Sequence, residues 1–118
     1  MSGFQQASRE CRALIVDDDA AIRLLAREAL EQLDLAVSDA CDGAEALERF
    51  EALSPDLVLL DVQMPRLDGF SACREMRERP RGKDTTIVMI TGLDDHASIF
   101  RAYQAGATDF ITKPINWP

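Results

Sequence analysis

Short apolar runs alternate along the chain with longer segments in which apolar and polar residues are interspersed. The apolar runs predict five strands, at 13–16, 35–40, 57–60, 86–90 and 108–112. Apolar residues at helical spacing predict four helices, over 20–33, from Ala46 to Leu53, from Phe70 to Met76, and over 95–105. The inward faces of the first and fourth helices are predicted to include Leu25, Leu33 and Tyr103.

The alternation of strands and helices predicts the fold class. Strands separated by helices pair in parallel, and right-handed crossovers place helices on both faces of the sheet. The first, third and fourth strands are almost continuously apolar, as expected of strands covered on both sides, whereas the second is more polar and suits an edge. We therefore predict an α/β fold with a doubly wound, five-stranded parallel sheet in the order 2-1-3-4-5. In that order ligands bind beyond the strand ends between strands one and three.

Length and composition indicate one domain and exclude several classes of protein. The chain has 118 residues, 47% of them apolar, which is enough for a single core at 11–118, and the polar residues 1–10 are predicted to be a disordered leader. A net charge of −8 argues against a nucleic-acid-binding surface. No run of about 18 apolar residues indicates a membrane span, so we expect a soluble, cytoplasmic protein.

The cysteines give no sign of a metal site or a disulfide framework. Cys11, Cys41 and Cys73 are odd in number and widely spaced, and the chain has one histidine. We expect them to be buried free thiols in a reducing compartment.

Polar side chains stand at the ends of four predicted strands. Asp17 and Asp18 follow strand one, Asp61 follows strand three, Thr91 follows strand four and Lys113 follows strand five. Parallel strands end at the same edge of a sheet, so these side chains should converge. Three carboxylates so close would raise one another's pKa unless a cation joined them, and Mg²⁺ suits carboxylate ligands without histidine or cysteine.

This set of groups is suited to phosphoryl transfer. A metal ion, a lysine ammonium and a threonine hydroxyl neutralise and position phosphoryl oxygens, and a carboxylate can act as the nucleophile. Asp61 is the centrally placed candidate.

Several of these residues also have an ordinary structural interpretation. Asp19 and Asp68 suit helix caps, and Asp17 and Asp18 are also acids of the kind that favour a helix N-terminus. Phe110 is as well explained by the core of the sheet as by a functional role.

The motifs resemble the receiver domain of bacterial two-component response regulators over residues 12–115. The matching stretches are Val16-Asp17-Asp18-Asp19, residues 60–70 (LDVQMPRLDGF), Ile90-Thr91-Gly92, Ala105-Gly106-Ala107 and Phe110-Ile111-Thr112-Lys113-Pro114. The resemblance implies a phosphorylation-activated signalling switch. Such a domain catalyses its own phosphorylation and dephosphorylation but is not a metabolic enzyme.

The resemblance also implies a Mg²⁺ site. Asp61 would accept a phosphoryl group from a phosphohistidine on a sensor histidine kinase. Asp18 would bind Mg²⁺ directly together with Asp61, Asp17 largely through a metal-bound water, and Gln63 through its backbone carbonyl.

The remaining matched residues have implied roles in catalysis and switching. Lys113 would contact the phosphoryl group, Thr91 would move toward it, and Phe110 would turn inward as Thr91 shifts. The Lys113–Pro114 bond is expected to be cis.

The chain stops where the family's fifth helix would begin. We therefore expect the final helix to be missing from a receiver domain truncated after strand five, with the output domain lost from it. The last residues, 113–118, weakly resemble receivers fused to cyclic-di-GMP output domains. An uncovered sheet face would favour a homodimer or a domain swap.

Two other functions compete with the switch. One is a pseudo-receiver that binds partners without being phosphorylated, although such a module needs none of the residues at the strand ends. The other is a small Mg²⁺-dependent aspartyl phosphatase, which carries a second aspartate where this chain has Gln63.

Overall fold

The described part of the chain forms five strands that alternate with four helices. The computed structural model describes residues 10–64, 67–92 and 96–113. The elements are β1 (Arg12–Val16), α1 (Ala20–Glu31), β2 (Ala36–Ala40), α2 (Gly43–Leu53), β3 (Leu57–Asp61), α3 (Gly69–Arg77), β4 (Thr86–Thr91), α4 (His96–Gln104) and β5 (Asp109–Thr112). A 3-10 turn, Gly82–Asp84, precedes β4.

All neighbouring strands pair in parallel, in the order β2-β1-β3-β4-β5, which confirms the predicted fold class and strand order. The register aligns Val16 with Leu60, and Asp61 with Ile90. The carboxyl ends of β1, β3 and β4 therefore lie side by side. The more polar strand β2 is at the edge of the sheet and is half-buried, as its composition predicts.

Each face of the sheet contributes side chains to its own apolar cluster. The larger cluster joins alternate residues of β1, β3 and β4 to helices α2, α3 and α4, and includes Leu14, Leu60, Met89, Phe50, Phe70, Met76 and Ala102. The smaller cluster uses the intervening strand residues with α1, and includes Ile15, Leu59, Ile90, Ala26 and Leu30. In the described ranges, α1 is the helix that supplies buried residues to this second face.

Aspartates begin three of the helices. Asp19, Asp42 and Asp68 lie in extended conformation just before α1, α2 and α3, and each carboxylate accepts a hydrogen bond from a backbone N–H in the first turn. These bonds satisfy N–H groups that have no partner within the helix. The prediction that Asp19 is a cap is confirmed, and so is a helix start at Asp68-Gly69.

The prediction for the first and fourth helices is wrong at three positions, where residues predicted to face inward are exposed. Helix α1 ends at Glu31, two residues before the predicted end, and Asp34 follows in the left-handed region at φ 64°. Leu25 and Leu33 are 48% and 63% exposed, and Tyr103 on α4 is 48% exposed. The small residues Ala26, Ala29 and Ala102 make the buried contacts instead, because they allow the helices to approach the sheet closely.

The cysteines also differ from expectation. Cys73 on α3 is buried, and burial raises the pKa of its thiol to about 11. Cys11 and Cys41 are exposed, so the expectation of three buried thiols is wrong. Cys11 precedes β1 and Cys41 follows β2, which places both beyond the sheet's covered region.

Two expectations concern residues outside the described ranges. The leader 1–10 lies outside them except for Glu10, which is exposed, and the Lys113–Pro114 bond involves Pro114, which is not described. Among the helices that are described, none is long and apolar enough to span a membrane.

Candidate functional site

Three carboxylates meet at the carboxyl ends of β1 and β3. Asp17 and Asp61 are buried, with 3% and 2% of their surface exposed, while Asp18 is exposed. One carboxylate oxygen from each lies within 4.8 Å of the others. The strand ends thus bring together the three acids that the sequence placed there.

Backbone contacts fix Asp17 at the end of β1. Its N–H donates to the carbonyl of Ala40 at 3.2 Å, extending the pairing with β2 by one residue. Its Oδ1 accepts from the N–H of Asp19 at 2.9 Å. The side chain is therefore held by the same loop that starts α1.

The start of α3 packs closely against the backbone of Asp61 and Val62. The N–H of Gly69 donates to the carbonyl of Val62 at 2.9 Å. A Cβ on Gly69 would overlap the carbonyl oxygen of Asp61 and lie 2.8 Å from the Cα of Val62. Only glycine allows α3 to begin this close to the strand end.

Lys113 brings a positive charge to the two buried acids. Its Nζ lies 3.3 Å from Oδ1 of Asp61 and 3.6 Å from Oδ2 of Asp17. Its backbone N–H donates to the carbonyl of Thr91 at 2.8 Å, which anchors it beside the end of β4.

Burial and mutual repulsion set the electrostatics of the site. Burial raises the pKa of Asp61 above its ordinary value, the charge of Asp17 raises it further, and Lys113 opposes both effects. Burial likewise raises the pKa of Asp17, against hydrogen bonding from the Asp19 N–H and the charge of Lys113. Burial alone would lower the pKa of Lys113, but the charges of Asp61 and Asp17 together raise it. Lys113 thus does not fully offset the effect of burial and repulsion on the two acids, whose pKa stays raised, whereas Lys113 itself remains a cation.

The donor set fits a magnesium ion. Within the described ranges, Oδ1 of Asp61 is buried and accepts no well-aligned hydrogen bond, its contact with Lys113 being an ion pair. Carboxylate oxygens from three residues are the hard ligands that Mg²⁺ takes, with the remaining positions filled by water. Gln63 is exposed in the loop two residues after Asp61, so its backbone carbonyl is a further candidate ligand.

Thr91 and Phe110 lie on neighbouring strands next to the acids. Thr91 ends β4 and is fully buried. Phe110 on β5 pairs in register with Met89, two residues before the end of β4, and is half-buried against the larger apolar cluster. Phe110 on β5 therefore lies one strand further from β3, which carries Asp61, than Thr91 on β4.

Arg23 contacts the acidic site, and this contact was not predicted from the sequence. Its Nη1 donates to the backbone carbonyl of Asp17 at 2.7 Å, and its Nε lies 3.5 Å from Oδ2 of Asp39 on β2. Arginine on the polar face of an amphipathic helix usually indicates a solvated side chain, so its sequence position carried no signal.

Comparison with known proteins gives consistent matches over nearly the whole chain. The family model for the response regulator receiver domain matches residues 13–118. A probable transcriptional regulator, ycf27 of Cyanidium caldarium, is 40% identical over 112 residues, covering 95% of this chain and 44% of the relative. The response regulator PleD of Caulobacter vibrioides is 42% identical over 107 residues, covering 89% of this chain and 23% of the relative.

A solved structure agrees with the fold as well. The chemotaxis protein CheY4 of Vibrio cholerae superposes with a TM-score of 0.87 at 30% identity, covering 92% of this chain and 90% of that one. The chain spans less than half the length of the two relatives matched by sequence.

Proposed function

The chain belongs to the response regulator receiver domains, and from this we propose that it is a phosphorylation-activated switch with Asp61 as the phosphoryl acceptor. The observation that carries the proposal is the position of Asp61, buried at the end of β3 between two other carboxylates and the Lys113 ammonium. The phosphoryl donor we propose is a phosphohistidine on a sensor histidine kinase in the cytoplasm.

The proposed transfer is a displacement at phosphorus. A carboxylate oxygen of Asp61 attacks, a P–O bond forms, and the P–N bond to the donor histidine breaks. The electron pair of that bond goes to the imidazole nitrogen, which takes up a proton. In the separate dephosphorylation step water attacks phosphorus and gives up a proton to solvent, the bond between phosphorus and the Asp61 oxygen breaks, and the free carboxylate returns with release of phosphate.

Each neighbouring group has a defined part in this step. Lys113 keeps its positive charge beside Asp61 and would pair with a phosphoryl oxygen. Asp17, Asp18, Asp61 and the backbone carbonyl of Gln63 would hold Mg²⁺, which when bound supplies positive charge for the phosphoryl oxygens. The burial of Asp17 and Asp61 keeps bulk water from screening these interactions.

We propose that the signal leaves the site through β4 and β5. The hydroxyl of Thr91 would move toward the phosphoryl group, and the half-buried ring of Phe110 would turn inward beside it. The full burial of Thr91 and the contact of Phe110 with the larger apolar cluster support a coupled movement, which would be passed to an output domain or partner.

Intact-mass measurement after incubation with Mg²⁺ and a small-molecule phosphodonor tests the assignment. Wild type is expected to gain one phosphoryl group and Asp61→Asn none. Asp68→Asn is a matched control, because it makes the same chemical change in the same motif and asparagine caps a helix as well as aspartate. Equal labelling of Asp61→Asn would refute the assignment.

Two results would favour the competing functions, the pseudo-receiver and the phosphatase. If wild type binds Mg²⁺ but gains no phosphoryl group, the pseudo-receiver is favoured. Hydrolysis of a phosphomonoester with turnover would instead favour the phosphatase.

We also propose a homodimer through the sheet face that α1 covers in part. Ile111 on β5 is 38% exposed beside the buried Ile90 of that face. Light scattering over a concentration series should show a dimer for wild type and a monomer for Ile111→Glu, whereas a monomeric wild type at high concentration would exclude this assembly.

A further inference from the structure

Arg23 is held between the edge strand and the loop that carries two of the three acids. It lies within the first turns of α1, and 21% of its side chain is exposed. One end of its guanidinium donates to the carbonyl of Asp17, and its Nε faces the carboxylate of Asp39. The planar guanidinium is thereby fixed in orientation by two partners at once.

The carbonyl that Arg23 binds belongs to the peptide unit between Asp17 and Asp18. A peptide unit is planar, so holding its oxygen in place restricts the backbone torsion angles on either side of it. Those torsion angles set the directions in which both acidic side chains leave the backbone. A contact with this one oxygen therefore acts on two of the three carboxylates.

The action of Arg23 is geometric. It binds the backbone of Asp17, whereas the charged groups with the largest effect on the pKa of the Asp17 carboxyl are Lys113 and Asp18. Arg23 thus differs from Lys113, which lies next to the carboxylates themselves.

Arg27 shows what an ordinary arginine in this region does. Its Nη2 lies 3.8 Å from the same Asp39 carboxylate, and its Nη1 donates to the carbonyl of Val37, the second residue of β2, at 2.9 Å. The two arginines share a helix and an acidic partner. They differ in the carbonyl each one binds, and Arg27 also forms an exposed ion pair with Glu31 at 3.4 Å, a kind of pair that contributes little to stability. Val37 pairs in register with Ala13, near the end of β1 that lies away from the acids.

We propose that Arg23 is a positioning residue for the acidic site, setting the separation and direction of the Asp17 and Asp18 carboxylates for a divalent cation. This inference rests on the proposed function, since that function supplies the role of the cation. Residues that do not bind the metal but hold its ligands in position typically cost about 10-fold to 100-fold in metal affinity when they are removed.

The test is calorimetric titration of Mg²⁺ into wild type, Arg23→Gln, Arg23→Lys and the control Arg27→Gln. Arg23→Gln is expected to bind Mg²⁺ about tenfold more weakly, and Arg27→Gln within about twofold of wild type. Arg23→Lys, which keeps a donor but not the fork, should fall between wild type and Arg23→Gln. Urea denaturation in EDTA shows whether the two glutamine variants are comparably folded.

A second measurement does not depend on the metal. In EDTA, amide hydrogen exchange at Asp18 and Asp19 should be faster in Arg23→Gln than in Arg27→Gln, because the loop loses its anchor. Equal Mg²⁺ affinity and equal exchange in these two variants would overturn the positioning role, even while wild type binds Mg²⁺ and is phosphorylated. A wild type that neither binds Mg²⁺ nor accepts a phosphoryl group would overturn the proposed function, and the inference with it.

Discussion

Replacing the central carboxylate of the site should make the metal-free protein more stable. Asp61→Asn removes a buried negative charge but keeps the size and shape of the side chain. In EDTA at neutral pH, we expect the free energy of unfolding of the variant to exceed that of wild type.

The magnitude follows from the distances in the site. At an effective dielectric constant of about 20, Lys113 Nζ at 3.3 Å attracts an ionised Asp61 by about 5 kcal/mol. On the same scale, Asp17 within 4.8 Å repels it by at least roughly 3.5 kcal/mol, and the exposed Asp18 adds a smaller, solvent-screened repulsion. The charge interactions therefore nearly cancel. The cost of burying the charge, still several kcal/mol per ion after the protein relaxes, decides the sign, and we expect a gain of about 2 kcal/mol.

Urea denaturation of wild type and Asp61→Asn, each with EDTA and with saturating Mg²⁺, measures this difference. Mg²⁺ should stabilise wild type more than the variant, because it removes the repulsion that the substitution also removes. Asp68→Asn should change little in either buffer, since it retains the helix cap. A variant less stable than wild type in EDTA would show that Lys113 fully compensates Asp61, and would refute the reasoning.

Two further predictions concern pH and the close approach of α3. Burial raises the folded-state pKa of Asp61 and Asp17 above the ordinary value of 3.8, so the folded state holds protons that the unfolded state has released. These two groups therefore contribute stability that is fully present below pH 3.8 and is lost as the pH rises through their folded-state pKa. Urea titrations in EDTA should show a smaller loss for Asp61→Asn than for wild type. An identical pH profile for the two proteins would contradict the assignment. Gly69→Ala should lower the free energy of unfolding by about 2 kcal/mol, because its Cβ meets the backbone of Asp61 and Val62; an unchanged urea midpoint would show that α3 shifts freely.

The fold was predictable because its determinants are local. Apolar runs such as 57–60 and 86–90 are long enough for a buried strand, and the intervening helical periodicity leaves parallel pairing as the remaining arrangement. The convergence of Asp17, Asp18 and Asp61 followed from the same logic, since parallel strands end at one edge. The chemical roles of these residues remain predictions.

Features set by side-chain packing were not predictable in this way. Leu25 and Leu33 satisfy the helical spacing but are exposed, Leu25 because Ala26, Ala29 and Leu30 make the buried contacts of α1, and Leu33 because the helix ends before it, at Glu31. The contact between Arg23 and the Asp17 carbonyl depends on the distance between α1 and the end of β1, which no local pattern encodes.

The central claim is that Asp61 itself carries the phosphoryl group, and locating the modified residue tests it most directly. Borohydride reduces an acyl phosphate, so a phosphorylated aspartate becomes homoserine. The tryptic peptide 50–66 contains both Asp61 and Asp56, and Asp56 serves as an internal control. After treatment with Mg²⁺ and a phosphodonor, fragment-ion sequencing should place homoserine at Asp61 alone. Homoserine at Asp56 or in the peptide that carries Asp17 and Asp18, with Asp61 unchanged, would contradict the account.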